Sequence, residues 1–485
     1  MALLDSKLAM RVADTVRDAM NVQDRRTPEE RKAYGLKLRE QCPLDVHAVW
    51  EAPADRPDPV ALLKEQGESR VQELLPLRYE RMSVSAFTFY RGAALIMATD
   101  LSGTPSTGIR VQACGDAHIS NFGFFNSPER QTVFDINDFD ETLPGPWEWD
   151  VKRLAASIEI CGRDRGFSKK DRKRTIRACI RKYREAMLEF SQMGHLDVWY
   201  AHISIDKLMA EFGDRATAEQ RKEVEKILGK AKEKNSVRAV TKFTELVDGE
   251  LRIISDPPII VPLRDLMQMQ PNSDKFNEED AVRLVRRALT EYQKTLSKDK
   301  QRLIGLYHGV DIAHKVVGVG SVGTRAIILV LEGADSSDPL VLQIKEAQES
   351  VLERFCGKSQ YRQHGQRVVE GQRAIQTASD MFLGWCRMAG EDGKRKDFYV
   401  RQLWDGKGSI DLTVIDEEHL ELLAEACGWT LARAHARTGD RFEIAGYLGE
   451  EKDFDKAIAK FAVAYADQNE ADYARFMQAL EAGEL

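Results

Sequence analysis

A six-residue segment that contains three glycines, Gly318-Val-Gly-Ser-Val-Gly323, limits the fold more than any other feature of this chain. Strings of the form G-x-G-x-x-G occur in several unrelated folds, so the flanking residues decide what this one means. A dinucleotide-binding fold requires a helix after the glycines and an acidic residue about twenty positions later. Here the apolar, β-branched run Arg325-Ala-Ile-Ile-Leu-Val-Leu331 follows the glycines. The pattern therefore predicts a glycine turn that joins two strands, the first of them beginning at Val316.

The next predicted strand ends on a lysine, in the sequence Val341-Leu-Gln-Ile-Lys345. It resembles the V-A-I-K strand of protein kinases, whose lysine holds the α and β phosphates of ATP beneath a glycine-rich loop between two strands. The resemblance implies that Lys345 is a phosphate clamp. It also implies that the glycine turn covers the nucleotide through Gly318, Gly320, Ser321 and Gly323.

Two further parts of a nucleotide site are predicted after Lys345. In kinases a glutamate on the following helix forms an ion pair with the lysine. Glu370, in a predicted helix over residues 365–377, is our first choice for this partner, and Glu353 and Glu349 remain open. The segment Gln402-Leu-Trp-Asp-Gly-Lys-Gly408 follows the last predicted strand and is the predicted hinge, with Gln402 and Leu403 beside the nucleotide.

An acidic loop, Cys114-Gly-Asp116-Ala-His118-Ile-Ser-Asn121, lies far ahead of the glycine turn. It resembles the H-G-D-x-x-x-x-N catalytic loop of aminoglycoside and choline kinase-like phosphotransferases, with cysteine where histidine is usual. In that loop the aspartate accepts the proton of the attacking hydroxyl, and the asparagine five positions later binds magnesium. The resemblance implies that Asp116 is the catalytic base and Asn121 a metal ligand.

A second metal ligand is predicted on the hairpin that follows, in Val133-Phe-Asp135-Ile-Asn-Asp138-Phe-Asp140-Glu141. The related kinases carry I-D-F or D-F-G at this point. Asp138 fits that wording and ranks first, whereas Asp135 fits the shorter spacing from Asn121. Carboxylates this close together raise one another's pKa, which a divalent cation such as Mg²⁺ would relieve.

Two residues are predicted to support the catalytic loop. Asp150, in Pro146-Trp-Glu-Trp-Asp150, resembles the helix-start aspartate of phosphotransferases that braces the loop backbone, although a simple helix cap fits equally well. His118 has no second histidine at metal-ligand spacing, so we expect it to orient the loop or to pack in the core. Arg81 and Arg91 are weaker candidates for phosphate contacts.

The order of these motifs is the reverse of that in a conventional kinase, where the glycine loop comes first. Residues 422–437 resemble the L-A-x-L-H helix that normally precedes the catalytic loop. The chain is therefore predicted to be a circular permutation of a bilobal α+β, protein-kinase-like fold, because contacts rather than chain order specify a fold. The predicted parts are an N-terminal helical arm and linker (1–77), a helical large lobe (78–305), a small antiparallel-sheet lobe that binds nucleotide (306–408), and C-terminal helices that complete the large lobe (409–485).

Longer motifs indicate a family. From Arg78 onward the chain contains R-Y-E-R-M, F-Y-R-G-A, G-D-A-H-I-S-N-F-G, F-D-I-N-D-F-D-E, P-W-E-W-D-V-K-R-L-A-A-S and A-Y-A-D-Q. This set resembles a bacterial family catalogued as a domain of unknown function, DUF2252. The resemblance brings no known substrate.

The composition of the chain argues against some classes of binding partner. The 485 residues contain no apolar run of membrane-spanning length, and the seven cysteines form no C-x-x-C pair, which is typical of reduced thiols in a cytoplasmic protein. A net charge of −7 argues against bulk attraction to nucleic acid, and the basic segment 163–184 is predicted to be a solvated helix face. We expect no membrane or nucleic-acid partner, and the oligomeric state stays open.

The leading hypothesis is an ATP- and Mg²⁺-dependent phosphotransferase that acts on a hydroxyl-bearing small molecule or protein. A kinase-fold nucleotidyl transferase that transfers AMP is the first alternative. A non-catalytic nucleotide-binding pseudokinase is the second. The acceptor is not predicted.

Overall fold

The computed structural model of the protein describes residues 26–204, 236–247, 250–269, 278–316, 318–389, 394–403, 408 and 410–485. Over these residues the fold is mixed α+β with several small antiparallel sheets, which confirms the predicted class at that level. None of the helices in these ranges combines the length and the apolar character that crossing a membrane requires.

The helices lie before, between and after the strands. The first are α1 Pro28–Lys37, α2 Pro59–Gly67, α3 Leu75–Met82, α4 Ala86–Arg91 and α5 Ala94–Ser102. In the middle of the chain are α6 Trp147–Asp164, α7 Lys169–Phe190, α8 His195–Tyr200, α9 Ser236–Phe243, α10 Leu263–Met269, α11 Glu278–Lys294 and α12 Lys298–Ile304. The last are α13 Glu353–Cys356, α14 His364–Ile375, α15 Glu417–Thr438, α16 Arg441–Leu448 and α17 Asp453–Glu481.

The strands are short until the last third of the chain. They are β1 Arg110–Ala113, β2 Phe122–Asn126, β3 Thr132–Ile136, β4 Leu143–Pro146, β5 Ile203–Ser204, β6 Thr244–Val247, β7 Glu250–Ile253, β8 Ile260–Pro262, β9 His308–Lys315, β10 Ala326–Glu332, β11 Pro339–Ala347, β12 Gly384–Ala389 and β13 Arg395–Gln402. The predicted hairpin is formed by β2 and β3, with Phe122 opposite Ile136, and β1 pairs with β4.

One antiparallel sheet of six described strands has the order β12-β13-β11-β10-β9-β8. The glycine turn joins β9 to β10, as predicted, but β9 is residues 308–315 rather than a strand that begins at Val316. Helix α14 stands between β11 and β12 in the chain, and β8 joins the edge of the sheet from a segment ahead of β9. Every residue of β11 is buried, so this central strand is held on both faces.

The helical core is built around α7 and α15. Ser168 caps α7 by accepting a hydrogen bond from the N–H of Asp171, and Asp416 caps α15 in the same way from His419. At their crossing a Cβ on Gly428 would lie 2.3 Å from the carbonyl oxygen of Cys179. Glycine at position 428 therefore permits the close approach of the two helices.

Arginines of the basic segment 163–184 form ion pairs within the chain. Arg181 pairs with Glu425 at 2.7 Å, and the buried Arg184 pairs with Asp455 at 3.0 Å. The prediction of a solvated face is therefore wrong for part of this segment, because α15 and α17 supply carboxylates against it.

The C-terminal end of α15 lies beside the strand that leads into the acidic loop. The backbone N–H of Gln112 on β1 donates to Oγ1 of Thr438, the last residue of α15, at 3.2 Å. Two segments more than 300 positions apart in the chain are thus neighbours in space.

Candidate active site

Two adjoining chambers lie where the glycine turn meets the acidic loop. The Asp116 chamber, about 450 Å³, is lined by Asp116, His118, Glu141 and Gly320 among others. The Lys345 chamber, about 410 Å³, is lined by Lys345, Gln343, Gln402 and Leu403 among others. The predicted catalytic loop and the predicted phosphate-binding turn therefore line one continuous cleft, although they are about 200 positions apart in the sequence.

The backbone of the acidic loop is fixed by one carboxylate. Asp150, in the first turn of α6, accepts hydrogen bonds from the N–H groups of Cys114 at 2.7 Å and Gly115 at 3.0 Å. Gly115 has a φ of 81°, and a Cβ there would lie 2.4 Å from the carbonyl oxygen of Glu141. His435 contacts the Asp150 carboxylate at 3.3 Å and connects it to α15. Asp150 thus braces the loop, the role that the sequence predicted, in addition to its place at a helix start.

Asp116 lies at the end of this braced loop and forms an ion pair with a buried arginine. Arg153 donates to Oδ1 of Asp116 from Nε at 2.6 Å. Burial raises the pKa of Asp116, and the positive charge of Arg153 offsets part of that rise. The side chain keeps 22% of its surface exposed, toward the cleft. Asp116 is therefore a held, accessible carboxylate that gains proton affinity from its surroundings.

His118 is buried beside Asp116, with Nε2 3.7 Å from Oδ2 of the carboxylate. Burial, and after it the charges of Arg91 and Arg153, lowers the pKa of His118 well below its usual range. The imidazole is therefore neutral and packs against the loop. Asn121 donates from Nδ2 to the carbonyl oxygen of Asp116 at 2.6 Å, which fixes its amide at the floor of both chambers.

The two predicted metal aspartates have different surroundings. Asp135 is 1% exposed and accepts from Nη2 of Arg433 at 2.7 and 2.8 Å, so its carboxylate is committed to a buried ion pair. Asp138 is 34% exposed and lines both chambers. The geometry therefore favours Asp138 over Asp135 as the residue that reaches a ligand.

Lys345 is 2% exposed and forms its ion pairs with the acidic segment that follows β3. It contacts the carboxylate of Asp140, and Asp138 lies 3.8 Å away. Asp140 also accepts a hydrogen bond from the hydroxyl of Tyr399 at 2.9 Å. Burial by itself would lower the pKa of Lys345, but Asp138 and Asp140 outweigh it, so the pKa is raised and the ammonium group stays charged.

The structure corrects the prediction that a glutamate pairs with Lys345. Glu370 pairs with Arg373 on its own helix at 3.3 Å, Glu349 pairs with Lys358, and Glu353 accepts from the N–H groups of Ser350 and Ser359. Within the described part of the chain none of the three pairs with Lys345. The reason is that Asp140, in the segment that follows β3, occupies the position beside the lysine.

The glycine turn is held from outside by the N-terminal helices. Arg81 donates to the carbonyl oxygen of Gly318 at 2.6 Å, and the N–H of Val71 donates to that of Gly323 at 2.8 Å. Gly318 and Gly323 have φ values of 70° and 88°, which favour glycine. Among the described residues no hydrogen bond engages the N–H groups of Gly320 or Ser321. Backbone N–H groups of this kind suit an anion.

The predicted hinge is described only in part. Gln402 ends β13, and the N–H of Leu403 donates to the carbonyl oxygen of Val341 at 2.8 Å. Both line the Lys345 chamber, and residues 404–407 lie outside the described residues.

A family profile matches residues 70–479, which is most of the chain. The family is described as an uncharacterized protein conserved in bacteria, DUF2252. The chain belongs to this family. No match was found among curated proteins or among solved structures.

The donor set of this DUF2252 protein fits magnesium. No group of three or more His, Cys, Asp or Glu side chains is arranged around a metal position within the described residues. Magnesium, however, is commonly held by one or two protein oxygens together with substrate phosphates and water. The Asp138 carboxylate and the Asn121 amide both face the point where the chambers meet, and these two would hold the ion.

Sequence reasoning missed Asp140 as a site residue in the DUF2252 chain. It lies two positions after Asp138 and joins Lys345, Tyr399 and Ser321, whose Oγ is 3.4 Å from the carboxylate. The acidic run was visible in the sequence, but nothing in its spacing indicated that a lysine from β11 would compensate it.

Proposed function

We propose that this chain is an ATP- and Mg²⁺-dependent phosphotransferase with a circularly permuted, protein-kinase-like fold, acting on a hydroxyl group of a small molecule or protein. One observation carries the proposal. Asp116, Asn121 and Asp138 line the same cleft as the glycine turn and Lys345. Base, metal ligands and phosphate contacts of a phosphoryl transfer site are therefore available together.

Topology supports the kinase-like part of the proposal. The sheet order β9-β10-β11-β13-β12, with a glycine turn after β9, a lysine on β11 and helix α14 before β12, is the order expected of a kinase small lobe. The permuted part is supported by Thr438 and Gln112, because the end of α15 lies beside the strand that would follow it in an unpermuted chain.

In the proposed reaction the acceptor hydroxyl occupies the Asp116 chamber. Its oxygen forms a bond to the γ-phosphorus while the bond from that phosphorus to the β–γ bridging oxygen breaks, and the electron pair leaves with ADP. The hydroxyl proton passes to the Asp116 carboxylate, whose raised proton affinity favours this step. Arg153 holds that carboxylate in place, and Asp150 holds the loop backbone that precedes it.

On the nucleotide side, Lys345 would exchange Asp140 and Asp138 for the α and β phosphates. The N–H groups of Gly320 and Ser321 would bind phosphate oxygens from above. Mg²⁺, when bound, supplies charge neutralisation at those oxygens. Gln402 and Leu403 would contact the base.

Calorimetric titration of the purified protein with ATP and Mg²⁺ tests the proposal, and absence of binding would contradict it. Parallel incubations with γ-labelled and α-labelled ATP then identify the chemistry. Transfer of the γ label to water or an acceptor supports phosphotransfer. Retention of the α label with release of pyrophosphate indicates nucleotidyl transfer instead. Binding without any turnover across a panel of hydroxyl-bearing acceptors indicates a pseudokinase. Asp299→Asn, on the exposed surface of α12, is the matched control for Asp116→Asn.

A further inference from the structure

Five of the described residues line both chambers, and they mark the point where the two chambers meet. Four of them are assigned above: Asn121, Asp138, Gly318 and Ser321. The fifth is Arg91, the last residue of α4. A group that passes from the nucleotide to the acceptor must cross this point, so each residue there is within reach of the group that moves.

Arg91 is a mostly buried cation whose Nε has no hydrogen-bond partner among the described residues. The negative charges of Asp116 and Asp138 act on it through space. Burial lowers the pKa of Arg91, and these two carboxylates oppose that effect. Of the other arginines that line the chambers, Arg70 donates to the carbonyl oxygen of Val322, Arg401 donates to Oε1 of Gln343, and Arg395 is exposed.

The backbone of Arg91 also touches the glycine turn. A Cβ on Gly320 would lie 3.0 Å from the carbonyl oxygen of Arg91. The end of α4 is thus seated directly against the turn, and the Arg91 side chain lines the cleft beside it. A buried guanidinium without a carboxylate in contact is costly unless an anion completes its surroundings. Its planar donors match phosphate oxygens.

We infer that Arg91 binds the terminal phosphoryl group of the nucleotide and stays in contact with it during transfer. The inference rests on the proposed function and adds a catalytic residue to it. While the acceptor oxygen bonds to the γ-phosphorus and the bridging oxygen departs with its electron pair, the three remaining oxygens keep their negative charge. Arg91 offsets that charge, as an arginine supplied within the same chain can do in phosphoryl transfer.

The test compares two probes, Mg·ADP and the non-hydrolysable triphosphate Mg·AMP-PNP, by calorimetry on the full chain. We expect the intact protein to bind AMP-PNP more tightly than ADP. Arg91→Ala should lose about tenfold in affinity for AMP-PNP and less than about twofold for ADP, because only the triphosphate carries the contacted group. Arg91→Lys should lie between the two proteins. Arg91→Gln, which keeps more of the side-chain volume than alanine does, replaces the alanine variant if the latter does not fold.

Arg81→Ala is the matched control, since it also removes an arginine beside the glycine turn. It should change both affinities by one common factor and preserve their ratio. A second readout is turnover, which added guanidinium ions should partly restore in Arg91→Ala but not in Asp116→Asn. If Arg91→Ala leaves the ratio of the AMP-PNP and ADP affinities unchanged, the inference is overturned while the proposed function stays intact. Failure of the intact protein to bind either probe would overturn both.

Discussion

The Nε of Arg153 donates to Oδ1 of Asp116 at 2.6 Å, so the predicted base is oriented by a side chain from the helix that follows the hairpin. Asp150 on the same helix holds the backbone of the loop. One helix, α6, therefore fixes both the position and the charge of the acidic loop. This arrangement leads to the first of four predictions.

Replacing Arg153 by lysine should move the acidic limb of the pH–rate profile to higher pH. The guanidinium favours ionised Asp116, and a lysine that cannot reproduce the planar donors would stabilise the carboxylate less. Asp116→Asn should lower turnover by about 10²- to 10⁴-fold with nucleotide affinity retained. A profile in Arg153→Lys that superimposes on that of the intact protein would contradict the role given to Arg153.

Asp135→Asn and Asp138→Asn should separate stability from metal dependence. Asp135 and Arg433 are each 1% exposed, so breaking their pair should reduce the free energy of unfolding by about 3 kcal/mol. Asp138→Asn should leave the unfolding free energy within about 0.5 kcal/mol, as expected of a partly exposed position, and weaken Mg²⁺-dependent ATP binding. Urea unfolding and calorimetry with and without Mg²⁺ measure the two effects. The reverse assignment of effects would show that Asp135 is the metal ligand.

Lys345→Met should abolish the rise in melting temperature that ATP and Mg²⁺ produce. For the intact protein, ligand at a hundred times its dissociation constant adds about 2.7 kcal/mol to stability. Glu370→Gln is the control, since Glu370 pairs with Arg373 and should leave the thermal shift unchanged. A loss of the shift in Glu370→Gln would restore the glutamate–lysine pair that the sequence predicted.

Glu141→Gln should flatten the decrease in stability between pH 5 and pH 8. Burial raises the pKa of Glu141 from about 4.5 to about 7. The folded state then binds more protons at this site than the unfolded state between these values, so the stability that Glu141 contributes is fully present below pH 4.5 and is lost as the pH rises to 7. The contribution is roughly 1 to 3 kcal/mol, and urea unfolding at the two pH values of both proteins measures it. Parallel curves for the two proteins would show that Glu141 does not titrate in this range.

The motifs with strong local chemistry were predicted well. The β2–β3 hairpin follows from apolar runs around the turn Asn126-Ser-Pro-Glu-Arg, and the turn between β9 and β10 follows from its glycines. Asp150 was also predicted, because Pro146-Trp-Glu-Trp-Asp150 resembles the helix start of phosphotransferases, although a simple helix cap fitted the sequence equally well. Each of these signals lies within a few consecutive residues.

The predictions that failed concern residues whose neighbours in space are distant in the sequence. Strand β9 was placed too late because its exposed and half-buried positions carry His308, Asp311, His314 and Lys315, which give no apolar period. The partner of Lys345 was assigned to the nearest helix in the sequence, whereas the fold brings Asp140 from 205 positions away. Arg91 lies in the motif F-Y-R-G-A and was a weaker candidate for a phosphate contact, and its place between the two chambers, which the sequence does not show, is what distinguishes it.

The contacts of Arg81 and Val71 with the glycine turn have a practical consequence for dissecting the protein. The family profile begins at residue 70, one position before the first of these contacts. A truncated fragment that starts at β1 would retain every strand of the six-stranded sheet. The glycine turn between β9 and β10, however, would lose the N-terminal helices against which it packs. Expression of such a fragment would therefore yield a sheet whose glycine turn lacks its contacts with Arg81 and Val71. Biochemical work requires the N-terminal helices to remain attached.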